Sequence, residues 1–288
     1  MDYFLRVQRA IDFIEENLKE DISLEEISNQ AYSSVSHFYR MFQITTGSSI
    51  KGYVQNRRLS QAAYELLTTE KRVIDIGLDY QFNGEETFIR AFTKVFGITP
   101  GKYRKSGNVD DLLTKITLNK HDIILKKGDV DMEPKFIKKE FKLIGVEGEV
   151  NFSGNFVKTI DSLQKELFDK LDSIRDINNT NAFIAYWYYK SNGTNKEPLC
   201  YYFAAVEVDN MESIPKGLVS KIIPESNYAV FNEKRRGEIA GPNGYAYKVW
   251  LPTSDKELNE HIPGDFEVYS DINNIGADTP CEIYIPIK

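Results

Sequence analysis

The chain has 288 residues, two cysteines and a formal net charge of −7, which argues against a generic nucleic-acid-binding protein. The length favours two domains, and two cysteines predict reduced thiols in a cytoplasmic protein rather than a disulfide framework. We expect neither a membrane span nor a secretory leader, because no apolar run is long enough and no basic, apolar segment opens the chain.

The negative charge is confined to the second part of the chain. Residues 1–107 hold 14 Lys or Arg and 14 Asp or Glu, so the whole excess of acidic residues belongs to residues 108–288. DNA binding by a neutral first part would depend on where its arginines point, and its non-specific affinity should be modest.

Helical periodicity dominates the first part. The apolar spacing predicts helices over residues 6–18, a short stretch after Ser23, 34–45, 51–67, 73–79 and 83–96. Ser23 and Glu26 are predicted to form a capping box. Asn83 is expected to cap the last helix, with Glu86 reaching back to it, and Gly97 is expected to end it.

One pattern occurs twice at a spacing of 50 residues, and such a repeat indicates two copies of one structural unit. The matching pairs are Leu24/Ile74, Tyr32/Phe82, Ser33/Asn83, Phe38/Phe88, Arg40/Arg90, Phe42/Phe92, Gly47/Gly97 and Tyr53/Tyr103. Each copy contains a short helix, a tight turn and a second helix. This order predicts two helix-turn-helix units joined by the helix over 51–67.

Three stretches carry a family resemblance: AYSSVSHFYRMFQITTG at 31–47, RRLSQAAYELL at 57–67 and FGITPGKYR at 96–104. With them, residues 1–107 resemble the DNA-binding domain of the AraC/XylS family. The resemblance implies two helix-turn-helix units, over about 6–50 and 51–105, that enter successive major grooves about 34 Å apart. It implies a sequence-specific transcription regulator, an activator in our interpretation, with promoter DNA and RNA polymerase as partners.

The side chains expected to face DNA are Ser36, Tyr39 and Arg40 in the first unit and Glu86, Ile89 and Arg90 in the second. Arg40 is the strongest candidate because a guanidinium can bind guanine bidentately. A salt bridge across the domain is the alternative for Arg40, and a capping role is the alternative for Glu86. Because carboxylates repel phosphates, the second unit is expected to read sequence weakly and mainly to position the protein.

Residues 108–134 are predicted to be a linker with some ordered structure, and from residue 135 the apolar period becomes alternating. Strands are predicted over 136–150, 182–189, 199–208, 218–223, 228–231, 266–270 and 282–287, with helices over about 155–174 and 244–251. Strand–helix–strand–strand thus occurs twice, which predicts two pseudo-symmetric halves with a cleft between them. The expected fold is multidomain: an all-α N-terminal domain, then an α+β C-terminal domain.

Four short motifs carry a second resemblance: YAVF at 228–231, WLP at 250–252, FEVY at 266–269 and EIYIPIK at 282–288. In this order, residues 135–288 resemble the GyrI-like effector-binding domain, of the type found in Rob and in BmrR-type multidrug regulators. The resemblance implies a small-molecule effector, and it places a glutamate, Glu267 in this sequence, at the floor of the ligand pocket.

Glu267 lies on a strand predicted to be buried, where a carboxylate is costly unless it is paired. Aromatic walls around an acid hold organic cations, so a cationic aromatic effector is expected, with a structural salt bridge as the alternative. Glu282 and Tyr284 lie on one side of the last strand and are predicted to supply a second acid and its aromatic neighbour. The other aromatic candidates are Tyr269, Trp250, Tyr247 and Trp187, for which a packed core is the alternative.

No residue pattern indicates catalysis, a cofactor or a metal site. A nucleophile elbow is absent, and His37, His121 and His261 have neither metal-ligand nor triad spacing. The expected function is a non-enzymatic, cytoplasmic, nucleoid-associated regulator controlled by a small molecule. Two alternatives stay open: the C-terminal domain binds a protein partner, or it hydrolyses a reactive small molecule.

Overall fold

A computed structural model describes residues 3–118, 133–151, 155–233, 244–273, 275 and 279–288. The chain divides into two compact units, Met1–Asn119 and Lys120–Lys288. Residues 119–132 of the predicted linker lie outside the described residues.

The first unit is all-α within residues 3–118, as predicted. Its helices are α1 (Tyr3–Glu16), α2 (Leu24–Gln30), α3 (Val35–Thr46), α4 (Ile50–Thr68), α5 (Val73–Asp79), α6 (Glu85–Phe96) and α7 (Pro100–Ser106). α2 with α3 and α5 with α6 form the two helix-turn-helix units, and α4 joins them. α7 was not among the predicted helices. It opens on Pro100, which is tolerated there because the first N–H groups of a helix have no intrahelical partner.

The predicted helix cap is present in the first helix-turn-helix and absent from the second. At α2 the Ser23 hydroxyl accepts from the Glu26 amide at 3.1 Å, and the Glu26 carboxylate accepts from the Ser23 amide at 2.8 Å. The capping box is therefore confirmed. At α6 the predicted Asn83 cap is wrong, because the cap position is Gly84, with φ 142° and no side-chain hydrogen bond. Residues with a Cβ rarely adopt this φ, so glycine is strongly favoured at position 84.

The second helix-turn-helix has a turn one residue longer than the first. α3 and α6 are 50 positions apart, as predicted, but the turn residues with positive φ, Tyr32 and Gln81, are 49 apart. Buried residues in α2 and α5, and just after these helices, are also 49 positions apart: Ile27/Ile76, Ser28/Gly77 and Ala31/Tyr80. The predicted pairs Leu24/Ile74, Tyr32/Phe82 and Ser33/Asn83 are therefore wrong by one residue.

The chain after α7 runs back along the first unit. A 3-10 turn, Val109–Asp111, precedes a segment without regular structure. In that segment the Leu113 amide donates to the Ser60 hydroxyl at 3.0 Å, and the Leu118 amide donates to Gln8 Oε1 at 2.7 Å. Residues 108–118 are thus ordered against α4 and α1.

The second unit is a closed antiparallel β-barrel with helices outside it. Its described strands are β1 (Lys135–Val150), β2 (Phe183–Lys190), β3 (Leu199–Glu207), β4 (Val219–Glu233), β5 (Gly264–Tyr269) and β6 (Cys281–Ile287), in the order β1-β3-β2-β5-β6-β4. α8 (Phe156–Phe168) follows β1. A π-helical segment, Ala246–Trp250, follows β4 and continues as the helical turn Leu251–Thr253.

The two predicted strand–helix–strand–strand halves are present, and they join through the pairs β1·β4 and β2·β5. Two boundaries are wrong: 218–223 and 228–231 are parts of the single strand β4, and the helix predicted over about 155–174 ends at Phe168. Pro224 lies where the register with β1 shifts, between Lys139 and Phe141. At such an irregularity the missing N–H of proline breaks no ladder hydrogen bond.

Aromatic side chains fill the barrel interior. Phe266 stacks on Phe141 at 4.7 Å and on Tyr186 at 4.4 Å between ring centroids. On the outer face α8 packs against β1 and β3. This approach is close, because Leu163 lies 3.0 Å from the position that a Cβ would occupy at Gly148. Glu267, one of the candidate ligand residues, also lies on the outer face, because it is one position along β5 from the interior residue Phe266.

Candidate functional site

The second helix-turn-helix presents its predicted DNA-facing side chains to solvent. Phe88 and Phe92, on one side of α6, are fully buried, whereas Glu86 and Arg90 are exposed and Ile89 is half-buried. Because no side chain caps α6, the capping role considered for Glu86 is wrong. Glu86 and Arg90 lie one helical turn apart on an accessible surface.

In the first helix-turn-helix the equivalent side chains are less exposed. Ser36 is half-buried, and Tyr39 and Arg40 are buried, with 9% and 4% of their surfaces exposed. Arg40 can contact a base only when its guanidinium is accessible, so its surroundings must change for that contact to form. Contact of these three residues with DNA stays a prediction.

Other arginines of the first unit join its helices. Arg58 donates to the Leu18 carbonyl at 2.8 Å and to the Glu20 carbonyl at 2.6 Å, which ties α4 to the turn that follows α1. Arg104 donates to the Leu66 carbonyl at 3.1 Å, which ties α7 to α4. Charge-assisted hydrogen bonds of this kind fix the guanidinium groups in structural positions.

The candidate ligand site lies on the outer face of the barrel, in a row that the strand register defines. Residues directly opposite each other on paired antiparallel strands project to the same face. From β4 through β6, β5 and β2 to β3, this row is Phe231, Ile283, Glu267, Ala185 and Ala204. Glu267 is the acidic member of the row, and it lies at the junction of the two halves.

Glu267 is buried among these apolar neighbours, with 8% of its surface exposed. Its carboxylate accepts a hydrogen bond from the Tyr269 hydroxyl at 2.8 Å, and Tyr269 is itself 1% exposed. Because burial weakens the hydration of a carboxylate and strengthens its electrostatic interactions, a positive group is favoured at this position.

Aromatic side chains lie on both sides of the row along the strands. In one direction Phe183 contacts Tyr269 at 5.9 Å and Phe168 of α8 at 5.8 Å between ring centroids. In the other direction Trp187 contacts Tyr202 edge-on at 4.7 Å. Two predicted ligand residues, Tyr269 and Trp187, therefore lie on the same face of the sheet as Glu267.

The π-helical segment supplies two further predicted ligand residues, Tyr247 and Trp250, both buried. Trp250 packs edge-on against Phe231, a member of the row, at 5.2 Å. Trp250 therefore reaches the same face of the barrel as Glu267. Single-turn π segments occur frequently at functional sites.

Glu282 and Tyr284 lie on the opposite face, inside the barrel. The register pairs Glu282 with Val268 and Tyr284 with Phe266, each one position along from Glu267. The Tyr284 hydroxyl donates to the Glu282 carboxylate at 2.9 Å, and burial together with this carboxylate raises the pKa of Tyr284. The structure does not bring these two residues together with Glu267, and their contact with a ligand stays a prediction.

Sequence reasoning missed two small members of the row. Ala185 and Ala204 are fully buried and follow Glu267 directly across the sheet. The available signal was an alanine within an aromatic strand, in FIAYWYY at 183–189 and in YYFAAV at 201–206. Alternation along one strand does not reveal which residue of the next strand lies opposite, so this signal alone could not place them beside Glu267.

Family profiles account for nearly all of both units. Residues 5–106 match the helix-turn-helix domain, and residues 132–288 match the GyrI-like small molecule binding domain. The chain belongs to the GyrI-like family. An AraC-type helix-turn-helix domain precedes its GyrI-like domain, so both resemblances are confirmed.

The first part of this GyrI-like chain is also similar to known proteins. It is 46% identical over 104 residues to the uncharacterized HTH-type transcriptional regulator YbfP of Bacillus subtilis and 38% identical over 106 residues to the right origin-binding protein of Escherichia coli. It is 36% identical over 108 residues to the HTH-type transcriptional activator AarP of Providencia stuartii. These matches cover 36%, 37% and 37% of this chain, and 35%, 37% and 80% of the three relatives.

Two kinds of feature are absent from the described ranges. No helix there combines the length and apolar character needed to cross a bilayer. Those residues also contain no group of three or more His, Cys, Asp or Glu side chains placed to hold a metal ion.

Proposed function

We propose that this protein is a DNA-binding transcription regulator whose GyrI-like domain binds a lipophilic organic cation, with Glu267 recognising the charge. The families of the two domains support control by a small molecule. The observation that supports a cationic ligand is the burial of Glu267, which is 8% exposed. The other members of its row are apolar, and the contacts Phe183–Tyr269 and Trp187–Tyr202 lie on either side of the row. Aromatic faces and a desolvated carboxylate together favour a cation over a neutral or anionic compound.

Contacts support roles for Tyr269, Trp187 and Trp250. The hydrogen bond from Tyr269 orients the Glu267 carboxylate. Trp187 and Trp250 offer π surface on the same face, and Tyr247 belongs to the segment that carries Trp250. The relatives of its DNA-binding part are named as transcription regulators, which supports our proposal that the protein is not an enzyme.

The regulatory output is part of the same proposal. We expect a cytoplasmic, nucleoid-associated protein that binds promoter DNA and acts with RNA polymerase as an activator. The similarity of its DNA-binding part to AarP, which is named a transcriptional activator, supports that direction of control. The accessible Arg90 on α6 supports a contact between the second helix-turn-helix and DNA.

The ligand proposal is tested by titrating the full chain with three benzyl compounds of different charge: benzyltrimethylammonium, benzyl alcohol and phenylacetate. Trp187 and Trp250 are the two tryptophans of the chain, so their fluorescence reports the proposed site. We expect the cation to bind most tightly and Glu267→Gln to weaken it about tenfold or more, a change of at least ~1.4 kcal/mol. Glu166→Gln, which removes an exposed carboxylate of α8, is the matched control.

Equal binding of the three compounds, or unchanged cation affinity in Glu267→Gln, would contradict the proposed ligand class. Binding of none of them would favour the protein-partner alternative, and mass spectrometry of the bound compounds would detect hydrolysis. Transcription from a bound promoter, with and without the cation, tests the activator assignment separately.

A further inference from the structure

We infer that the body of the ligand lies over strands β2 and β3, on the alanine side of Glu267. Ala185 and Ala204 would then limit the size of the cation that the site accepts. This inference rests on the proposed cation site and specifies how a ligand fills it.

The row is asymmetric about Glu267. On the β6 and β4 side its neighbours are Ile283 and Phe231, whose large side chains occupy the space above their strands. On the β2 and β3 side they are Ala185 and Ala204, each of which extends one methyl group above the sheet. Since neighbouring strands lie about 4.8 Å apart, the two alanines form a strip about 10 Å long beside the carboxylate.

Aromatic residues border this alanine strip along the strands. Phe183 and Trp187 lie two residues from Ala185 on either side, and Tyr202 lies two residues from Ala204, so all three project to the same face. Contacts of Phe183 with Phe168 and of Trp187 with Tyr202 hold these borders in place. A methyl floor between aromatic borders, with an acid at one end, matches an aromatic cation whose charge is at its edge.

α8 sets a condition on entry. The two alanines are fully buried, and α8 packs on β3, where Gln164 Nε2 donates to the Tyr202 hydroxyl at 2.8 Å. A ligand body over the strip must therefore displace side chains that now cover it. The volume above Ala185 and Ala204 then decides which bodies fit, since overpacking a buried site is unfavourable.

The test uses the full chain and three cations of increasing size: tetramethylammonium, benzyltrimethylammonium and tetraphenylarsonium. Ala185→Val and Ala204→Val each add two methyl groups to the strip. Ala229→Val adds the same volume to a fully buried alanine of β4, two residues from Phe231 and outside the strip. We expect the strip variants to lose about tenfold or more in tetraphenylarsonium affinity and Ala229→Val to change by less than about threefold.

Tetramethylammonium affinity should change by less than about twofold in all three variants, because this cation needs only the acid. Unchanged tetraphenylarsonium affinity in both strip variants, or an equal loss in Ala229→Val, would overturn the inference. An equal loss of the smallest cation would also overturn it, since that result indicates damage to the charge site. If the valine variants fail to fold, Ala185→Gly decides: it should raise the preference for the largest cation over the smallest, and a lowered preference overturns the inference.

Failure of the underlying proposal gives a different result. If the wild-type chain binds none of the cations, or if Glu267→Gln retains their affinity, the proposed cation site is wrong, whatever the alanine variants do.

Discussion

Glu267 and Glu282 lie on neighbouring strands, yet they project to opposite faces of the sheet, because the register pairs Glu267 with Ile283 and Glu282 with Val268. One carboxylate belongs to the outer row, and the other accepts a hydrogen bond from Tyr284 inside the barrel. A ligand on the outer face therefore meets one of these two acids and not both.

Glu282→Gln should consequently disturb cation binding much less than Glu267→Gln. Each change removes one charge at nearly constant volume, so the two variants differ mainly in the face that they affect. We expect a loss of about tenfold or more for Glu267→Gln and of less than about threefold for Glu282→Gln, because a charge on the far side of the sheet is farther from the ligand. Tryptophan fluorescence titration measures both, and equal losses would contradict the proposed face.

Gly97 and Gly101 form a matched pair for testing how α6 ends. Open space lies where a Cβ would be at either position, but Gly97 has φ 73° at the end of α6, whereas Gly101 lies within α7. Gly97→Ala should lower the free energy of unfolding by about 1 kcal/mol, because an L residue is strained at that φ. Gly101→Ala should leave it unchanged or raise it by up to about 1 kcal/mol. Urea unfolding measures both, and equal shifts would show that backbone conformation is not the cause.

Local patterns were sufficient to predict most of the helical unit. Helix α5 begins and ends at the predicted residues. The capping box of Ser23 and Glu26 forms within one helix terminus and depends on no other part of the chain. The prediction failed at Asn83 because a longer turn places Gly84 at the cap. A turn conformation of this kind depends on how the two helices pack, which residue type alone does not specify.

Predicting which residues surround Glu267 required a relation that no single strand contains. Alternation correctly placed Glu282 and Tyr284 on one face. It could not tell whether Glu267 shares that face, because a shift of one residue in the register between β5 and β6 would reverse the answer. The same register brings Ala185 opposite Glu267. The burial of Glu267 could therefore be predicted from its strand, but its neighbours across the sheet could not.

Arg57 and Glu15 form a buried ion pair between α4 and α1, with 7% and 12% of their side chains exposed. The Arg57 guanidinium donates to the carboxylate at 2.7 and 2.8 Å, and the Tyr53 hydroxyl donates to it at 2.8 Å. Arg57→Met should destabilise the helical unit by about 3 kcal/mol, because it leaves a buried carboxylate without its cation. The double variant Arg57→Met/Glu15→Met should recover most of that loss.

Urea unfolding followed by far-UV circular dichroism measures this recovery. Arg57 also donates to the Leu113 carbonyl, so both variants should increase protease cleavage near residue 113. A double variant that is no more stable than Arg57→Met would show that the guanidinium contributes mainly through packing and through Leu113 rather than through its charge.

Glu147, on β1, is predicted to make the stability of the barrel pH-dependent. Burial alone would raise the pKa of this carboxyl, but hydrogen bonds from Lys221, Tyr188 and Lys190 lower the pKa from 4.5 to about 2. The folded-state pKa is below the unfolded value, so the ionised group stabilises the fold above about pH 4.5, and this stabilisation is lost as the pH falls toward 2. Glu147→Gln should lower the free energy of unfolding at pH 7.

The same variant should flatten the pH dependence of that free energy between pH 4.5 and 2. Urea unfolding at pH 7, 4.5 and 3 measures both effects, with Glu149→Gln, an exposed carboxylate on the same strand, as the control. A wild-type slope in Glu147→Gln would assign the acid sensitivity of the barrel to other carboxylates.

Arg40 and Arg90 occupy equivalent positions in the two helix-turn-helix units but differ in exposure, with Arg40 buried and Arg90 open to solvent. If the first helix-turn-helix reads sequence and the second mainly positions the protein, Arg40→Ala should abolish the preference for selected DNA sites. Arg90→Ala should weaken binding to selected and random DNA alike, by about tenfold. Arg72→Ala removes the same charge from an exposed arginine paired with Asp75 at 2.6 Å, and it should have little effect.

Footprinting on sites selected from a random library, with helical content checked by circular dichroism, separates these outcomes. If Arg90→Ala loses the sequence preference and Arg40→Ala retains it, the roles of the two helix-turn-helix copies are reversed. Since Arg40 must become accessible before it contacts a base, its guanidinium should also be slow to react with arginine-modifying reagents in the protein without DNA, compared with that of Arg90. Equal reaction rates would show that Arg40 is accessible in solution without DNA.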